Sequence, residues 1–234
     1  MKIFQYIGSP TITILRAAFQ KTIPVMFGYV PIGIAFGFLL AQEGFNWLYA
    51  VLMSAVIYSG ATQFLAIGFF ANHAAMIEIG ITTLFLNLRH SFFGLSLIRK
   101  FSGIPRVKPY LVFALTDETY ALLTAHDEPE KNTKARYYLF ISLLNQLYWI
   151  TGSLVGALMG QAIKTDLKGM DFALTALFTV LVIEQYRKIR SLRPFLVALV
   201  VGIGCLMVVA TQYVLLASIT SGTIMLMLLR KKTR

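Results

Sequence analysis

Residues 197–210, VALVVGIGCLMVVA, are apolar at every position. A strand of a membrane barrel alternates between lipid and lumen every second residue, whereas a helix that is apolar all round sits in lipid or in the core of a bundle. This stretch therefore selects helices over strands, and the rest of the chain follows it. Of 234 residues, 57% are hydrophobic and 13% charged, against about 25% charged in soluble domains. Apolar segments recur at 23–41, 47–71, 76–98, 110–125, 137–163, 172–183, 194–210 and 212–229. Several approach or exceed the ~20 residues that carry a helix across a ~30 Å hydrocarbon core. The expected fold is an all-α integral membrane protein, a polytopic helical bundle. We expect an interfacial amino-terminal segment over 1–22, one transmembrane domain over 23–229 and a basic cytoplasmic tail over 230–234.

The net charge of +11 does not indicate a nucleic-acid partner, because the basic residues lie in short clusters between apolar runs and not on a basic domain. They read as topology determinants. Clusters occur at Arg99, Lys100, Arg106 and Lys108; at Lys131, Lys134 and Arg136; at Arg187, Lys188, Arg190 and Arg193; and at Arg230, Lys231, Lys232 and Arg234. Cytoplasmic loops are enriched in such residues. Eight plain crossings would put the 99–108 cluster outside, whereas six crossings, with 47–71 and 110–125 dipping in and returning, would keep every cluster inside. Both topologies stay open. The amino terminus lacks the compact apolar core and small-residue cleavage site of a signal peptide, and residues 11–21 suit an interfacial helix.

Two segments carry internal breaks, which makes them broken or re-entrant helices: SGATQ at 59–63 and TDET at 116–119. Irregular backbone is tolerated at membrane depth only where it is buried in protein or lines a wet cavity. Ser59, Gly60 and Thr62 are suited to end one half-helix and begin the next, exposing backbone N–H groups at a positive helix end, with the Gln63 amide beside them. Close packing of small residues is the competing reading. In the first segment, Pro31 removes an intrahelical hydrogen bond, and Gly33 and Gly37 form a small-residue face. Gly152, Gly156 and Gly160 form another, with Asn145, Gln146 and Trp149 just before it.

Segment 76–98 puts Asn87, Arg89 and His90 near its middle. A charge there costs at least about 2.5–3.5 kcal/mol on insertion scales and calls for a partner or water. Arg89 has two readings: a buried partner of Asp117 or Glu118, or a side chain reaching the interface. Neighbouring helical residues point about 100° apart, so Asp117 and Glu118 cannot both face one spot in an unbroken helix. Capping of a half-helix by Thr116 or Asp117, with Glu118 in its first turn, is one reading. Proton coupling through Asp117, Glu118 and His90 is the other.

No phosphate-binding loop, H-E-x-x-H or G-x-S-x-G motif is present, and the three histidines lack metal-site spacing. We therefore expect no enzyme activity and no cofactor. Cys205, the one cysteine, has no partner for an intrachain disulfide.

PVMFGYVPIGIAFG (24–37), SGATQF (59–64), NLRH (87–90) and LTDET (115–119), in that order, resemble the AzlC family, the larger subunits of bacterial two-part branched-chain amino acid exporters. The resemblance implies a secondary transporter in the bacterial inner membrane, exporting branched-chain or similar apolar amino acids with a small hydrophobic AzlD-type subunit. It brings no established site residues. On our reading of the matching positions, Pro31, Gly33, Ser59, Gly60, Thr62, Gln63, Asn87 and Arg89 bind substrate, and Asp117, Glu118 and His90 couple protons. A channel or scaffold acting through its partner is the alternative.

Overall fold

The computed structural model describes residues 10–71, 73–125, 133–163, 179, 182–183, 186–187, 190–209 and 214–231. These residues are helical apart from short turns and connections. The chain divides into two compact units, Met1–Ile67 with Asn87–Lys164, and Gly68–Leu86 with Thr165–Arg234.

In the first unit, α1 (Pro10–Gln42) and α7 (Lys134–Ala162) form the frame. At 33 and 29 residues they extend about 50 and 44 Å, beyond a ~30 Å hydrocarbon core. Both are apolar enough to cross a membrane. Residues 11–21 and 23–41, expected as separate elements, belong to one helix that continues through Pro24 and Pro31. Seven residues apart, the two prolines share a helix face, and both are exposed. The carbonyls they free lie on the outer side, and the helix runs on without stopping.

α1 and α7 run parallel and touch along three layers. At the amino-terminal end, Ile14 and Ala18 join Leu97, Phe101, Leu111, Leu123, Tyr138 and Ile141 in a buried apolar cluster. At the other end Gly33 and Gly37 meet Gly152, Ser153 and Ala157 of α7, while Gly156 and Gly160 meet Ile34 and Phe38 of α1, so the two small-residue stripes belong to one helix contact. A Cβ on Gly33 would lie 3.1 Å from the Ser153 nitrogen, and one on Gly160 2.8 Å from the Phe38 oxygen. Only hydrogen on those α-carbons permits such an approach. Gln42 closes the pair by donating from Nε2 to the carbonyls of Gly160 (3.0 Å) and Ile163 (3.1 Å), two of the orphan acceptors at the end of α7. The middle layer is polar.

Two interrupted helices meet that layer. α2 (Trp47–Val56) begins at Asn46, whose Oδ1 accepts the Leu48 N–H at 3.1 Å. It stops before Tyr58, which takes a left-handed φ of 44°, and α3 (Gly60–Ala71) follows. α4 (Met76–Leu97) leads to α5 (Lys108–Phe113), with Pro109 in its first turn. A second interruption at 114–116 precedes α6 (Asp117–Ala125). Both breaks fall at the motifs that raised them, while re-entry to the same side remains an expectation. In the second unit α8 (Arg193–Val208) packs on α9 (Val214–Lys231). Cys205 there lies 3.7 Å from the Ser221 hydroxyl. Most of the expected segment 172–183 lies outside the described residues.

Candidate functional site

The middle layer is built from residues that break the helices and residues that satisfy what the breaks expose. Ending α2 at Val56 frees the carbonyl of Ala55, which in a continuous helix would bond four residues on. Gln146 of α7 supplies the missing donor, its Nε2 lying 3.0 Å from that oxygen. Its Oε1 accepts the Tyr110 hydroxyl of α5 at 2.6 Å, so one side chain braces both interrupted helices. Replacing Gln146 with leucine strands both groups, and we expect a loss of about 3 kcal/mol, read as a lower unfolding midpoint in detergent.

At the first break, Ser59 and Thr62 hydroxyls lie 2.9 Å apart, and Asn87 of α4 bonds to both. Gln63, fully buried, donates to Ser54 at 3.1 Å and accepts the Trp149 indole N–H at 2.9 Å. Ser54 in turn donates to Ser153 at 2.8 Å. Gly60 opens α3 beneath the Trp149 ring, 3.1 Å from where its Cβ would be. The sequence-predicted set Ser59, Gly60, Thr62, Gln63 and Asn87 is thus brought together, but its members are chiefly bonded to one another and to α7.

At the second break Thr116 caps α6, its Oγ1 accepting the Thr119 N–H at 3.2 Å. Tyr29 of α1 places its hydroxyl 2.6 Å from Thr116 Oγ1 and 2.7 Å from Glu118 Oε2. Thr116 and Thr119 hydroxyls are 2.9 Å apart, and Asn145 Nδ2 donates to Thr119 Oγ1 at 3.0 Å. Tyr29 shares its single proton between Glu118 and Thr116, Thr116 donates to Thr119, and the Thr119 oxygen also receives the Asn145 amide N–H. A chain of three hydroxyls thus links exposed Glu118 to Asn145, which is fully buried.

The breaks lie close together, with the Tyr58 and Phe113 rings 6.3 Å apart. They stand near the midpoints of both framing helices, at Tyr29 on α1 and Asn145 to Trp149 on α7. Asp117 is half-buried in the first turn of α6 and Glu118 exposed, which separates the two carboxylates as helical geometry requires. Pro31 is exposed and Gly33 belongs to the α1–α7 contact. His90 sits on α4, its ring 5.9 Å from Phe93. Arg89 lies within α4, and its side chain is outside the described residues. Tyr29, Tyr58 and Asn145 were not among the predicted site residues. Their signals were faint: two tyrosines whose rings fit an apolar run, and one asparagine beside a glycine stripe.

A family profile described as AzlC protein matches residues 24–163. The chain belongs to the AzlC family. The AzlC match covers both breaks and all of α7, reaching beyond the motifs at 24–119 to take in Asn145, Gln146 and Trp149. A Helicobacter pylori protein named uncharacterized membrane protein is 39% identical over 217 residues, 93% of this chain and 95% of the relative. The Bacillus subtilis branched-chain amino acid transport protein AzlC is 36% identical over 173 residues, covering 74% of this chain and 68% of the relative. The Escherichia coli inner membrane protein YgaZ is 27% identical over 180 residues, 74% of each chain. No solved structure matches.

Proposed function

We propose that this chain is a secondary transporter that exports branched-chain or similar apolar amino acids across the bacterial inner membrane, together with a small AzlD-type subunit. The observation that carries this reading is the meeting of two interrupted helices halfway along α1 and α7, around a polar junction inside otherwise apolar helices. Transporters bind substrate near the bilayer midplane at such interruptions, where half-helix ends replace water around a charged ligand. Family membership and the name of the Bacillus subtilis relative support an amino acid cargo.

In this reading the positive amino-terminal end of α3, with Ser59, Gly60, Thr62 and Gln63, receives the cargo carboxylate. Arg89 on α4 adds the charge that a carboxylate in a dry site requires. Glu118, presented by α6 and oriented by Tyr29, receives the cargo ammonium and exchanges a proton during the cycle, with Asp117 and His90 in supporting roles. Gly33 holds α1 close against α7 behind this site, with Pro31 on the outer face of the same helix.

Cells lacking the protein and fed dipeptides of leucine, isoleucine, valine or methionine are expected to accumulate the free amino acid several-fold over wild type. Equal pools in a strain without redundant exporters would contradict the reading.

A further inference from the structure

We infer that the end of the first unit where α1 and α7 begin is a binding site for the headgroups of anionic phospholipids. Both helices are longer than the ~20 residues that cross a hydrocarbon core. Their amino-terminal ends are held together by the buried cluster that includes Ile14, Ala18, Phe101, Tyr138 and Ile141. Six cations stand within two residues of that cluster or of the side chains packed against it. They are Arg16 on α1, Arg99 and Arg106 in the α4–α5 connection, Lys108 on α5, and Lys134 and Arg136 on α7. The four arginines are exposed, and none of the six is paired with a carboxylate among the described residues. Lys100 lies over the Tyr138 ring, 5.7 Å from its centre, and ties the α4–α5 connection to α7.

Basic residues orient a membrane protein wherever they fall in a cytoplasmic loop, but here two of them occupy a place that repels them. The amino terminus of a helix carries partial positive charge. The first turn of α7 nonetheless holds Lys134 and Arg136 and no carboxylate, an arrangement that costs stability until an anion covers it. The loop before α7 brings three carboxylates, Asp127, Glu128 and Glu130, which lie outside the described residues and are half as many as the cations. The surface beside the cations is apolar, with Ile12 and Phe19 of α1 and Leu95 and Ile98 at the end of α4 all exposed. A free phosphate would use the cations alone. A phospholipid uses both, its phosphate among the basic side chains and its acyl chains along the apolar ones.

The test uses the full chain, purified in detergent and stripped of lipid, with bound lipid counted by native mass spectrometry and the unfolding midpoint followed in parallel. Phosphatidylglycerol should be retained at least about tenfold better than phosphatidylcholine of the same acyl chains, as several cations acting on one anionic headgroup require. It should also raise the midpoint, whereas sodium phosphate at the same concentration should not. Arg99→Gln, Arg106→Gln and Arg136→Gln together remove three exposed charges and leave the apolar cluster untouched, so the fold is retained. The preference should then shrink to about twofold. The same change at Arg187, Arg190 and Arg193 of the second unit, also exposed, should leave it intact. Equal retention of the two lipids, stabilisation by phosphate alone, a preference that survives the first triple variant, or an equal loss in both triple variants overturns the assignment. None of these measurements involves transport, so the lipid site stands or falls apart from the proposed function.

Discussion

Gly37→Ala is expected to cost about 3 kcal/mol or more and to lower the unfolding midpoint by about 10 °C, while Gly28→Ala on the same helix changes it by no more than about 2 °C. An added Cβ at Gly37 runs into the carbonyl oxygen of Ser153 and stands 2.7 Å from the Ala157 nitrogen. Both obstacles are backbone atoms of α7, so no side chain can turn aside. The helices must separate, and separation weakens the Gln42 bonds to Gly160 and Ile163 and the 3.1 Å contact between Thr22 and Tyr148. At Gly28 nothing lies within 4 Å of where the added methyl would stand, and alanine is the better helix former. Thermal unfolding of the two variants in detergent checks the contrast, and equal midpoints would contradict the close α1–α7 packing. Gly156→Ala should match Gly37→Ala, because its Cβ meets the carbonyl of Ile34 from the opposite side.

The second large effect is expected at Glu118. Glu118→Gln preserves shape and still accepts the Tyr29 proton through its amide oxygen, so the fold and the cap on α6 should survive. What disappears is the negative charge that, in the proposed function, receives the cargo ammonium. Transport should fall at least about tenfold, the scale of one lost charge-assisted hydrogen bond, and lose its dependence on an imposed pH gradient. Tyr29→Phe should reduce transport as well, since it disconnects Glu118 from Thr116. Initial rates of leucine uptake into everted vesicles, normalised to protein amount, check both. Full activity in Glu118→Gln would reduce this carboxylate to a helix-end residue.

Much of this arrangement was legible in the sequence because it follows from local chemistry. Ser59-Gly60 and Thr116 announce interruptions through residues that compete with or cap the helical backbone, and the breaks fall there. The small-residue stripes at Gly33 and Gly37 and at Gly152, Gly156 and Gly160 were readable as contact faces from their four-residue spacing. That they belong to one contact was not readable, since pairing of segments more than a hundred residues apart leaves no mark in either one. Pro31 suggested a kink, yet it shares an exposed face with Pro24 and α1 runs on through both. Tyr29 and Tyr58 are hidden in the sequence for a physical reason: a phenol ring satisfies the hydropathy of an apolar run, and only the fold reveals where its hydroxyl ends. Asp117 and Glu118 read as a pair, but helical geometry gives them separate surroundings, with Tyr29 reaching Glu118 alone among the contacts described.

The most direct measurement is counterflow of labelled leucine in proteoliposomes containing the purified chain and the small AzlD-type subunit proposed for it. A carrier built on the junction between the two breaks predicts transient, saturable accumulation of label driven by unlabelled leucine inside, sharply reduced by Glu118→Gln. Linear, unsaturable entry that the substitution leaves unchanged would contradict it and indicate a channel or an inert scaffold.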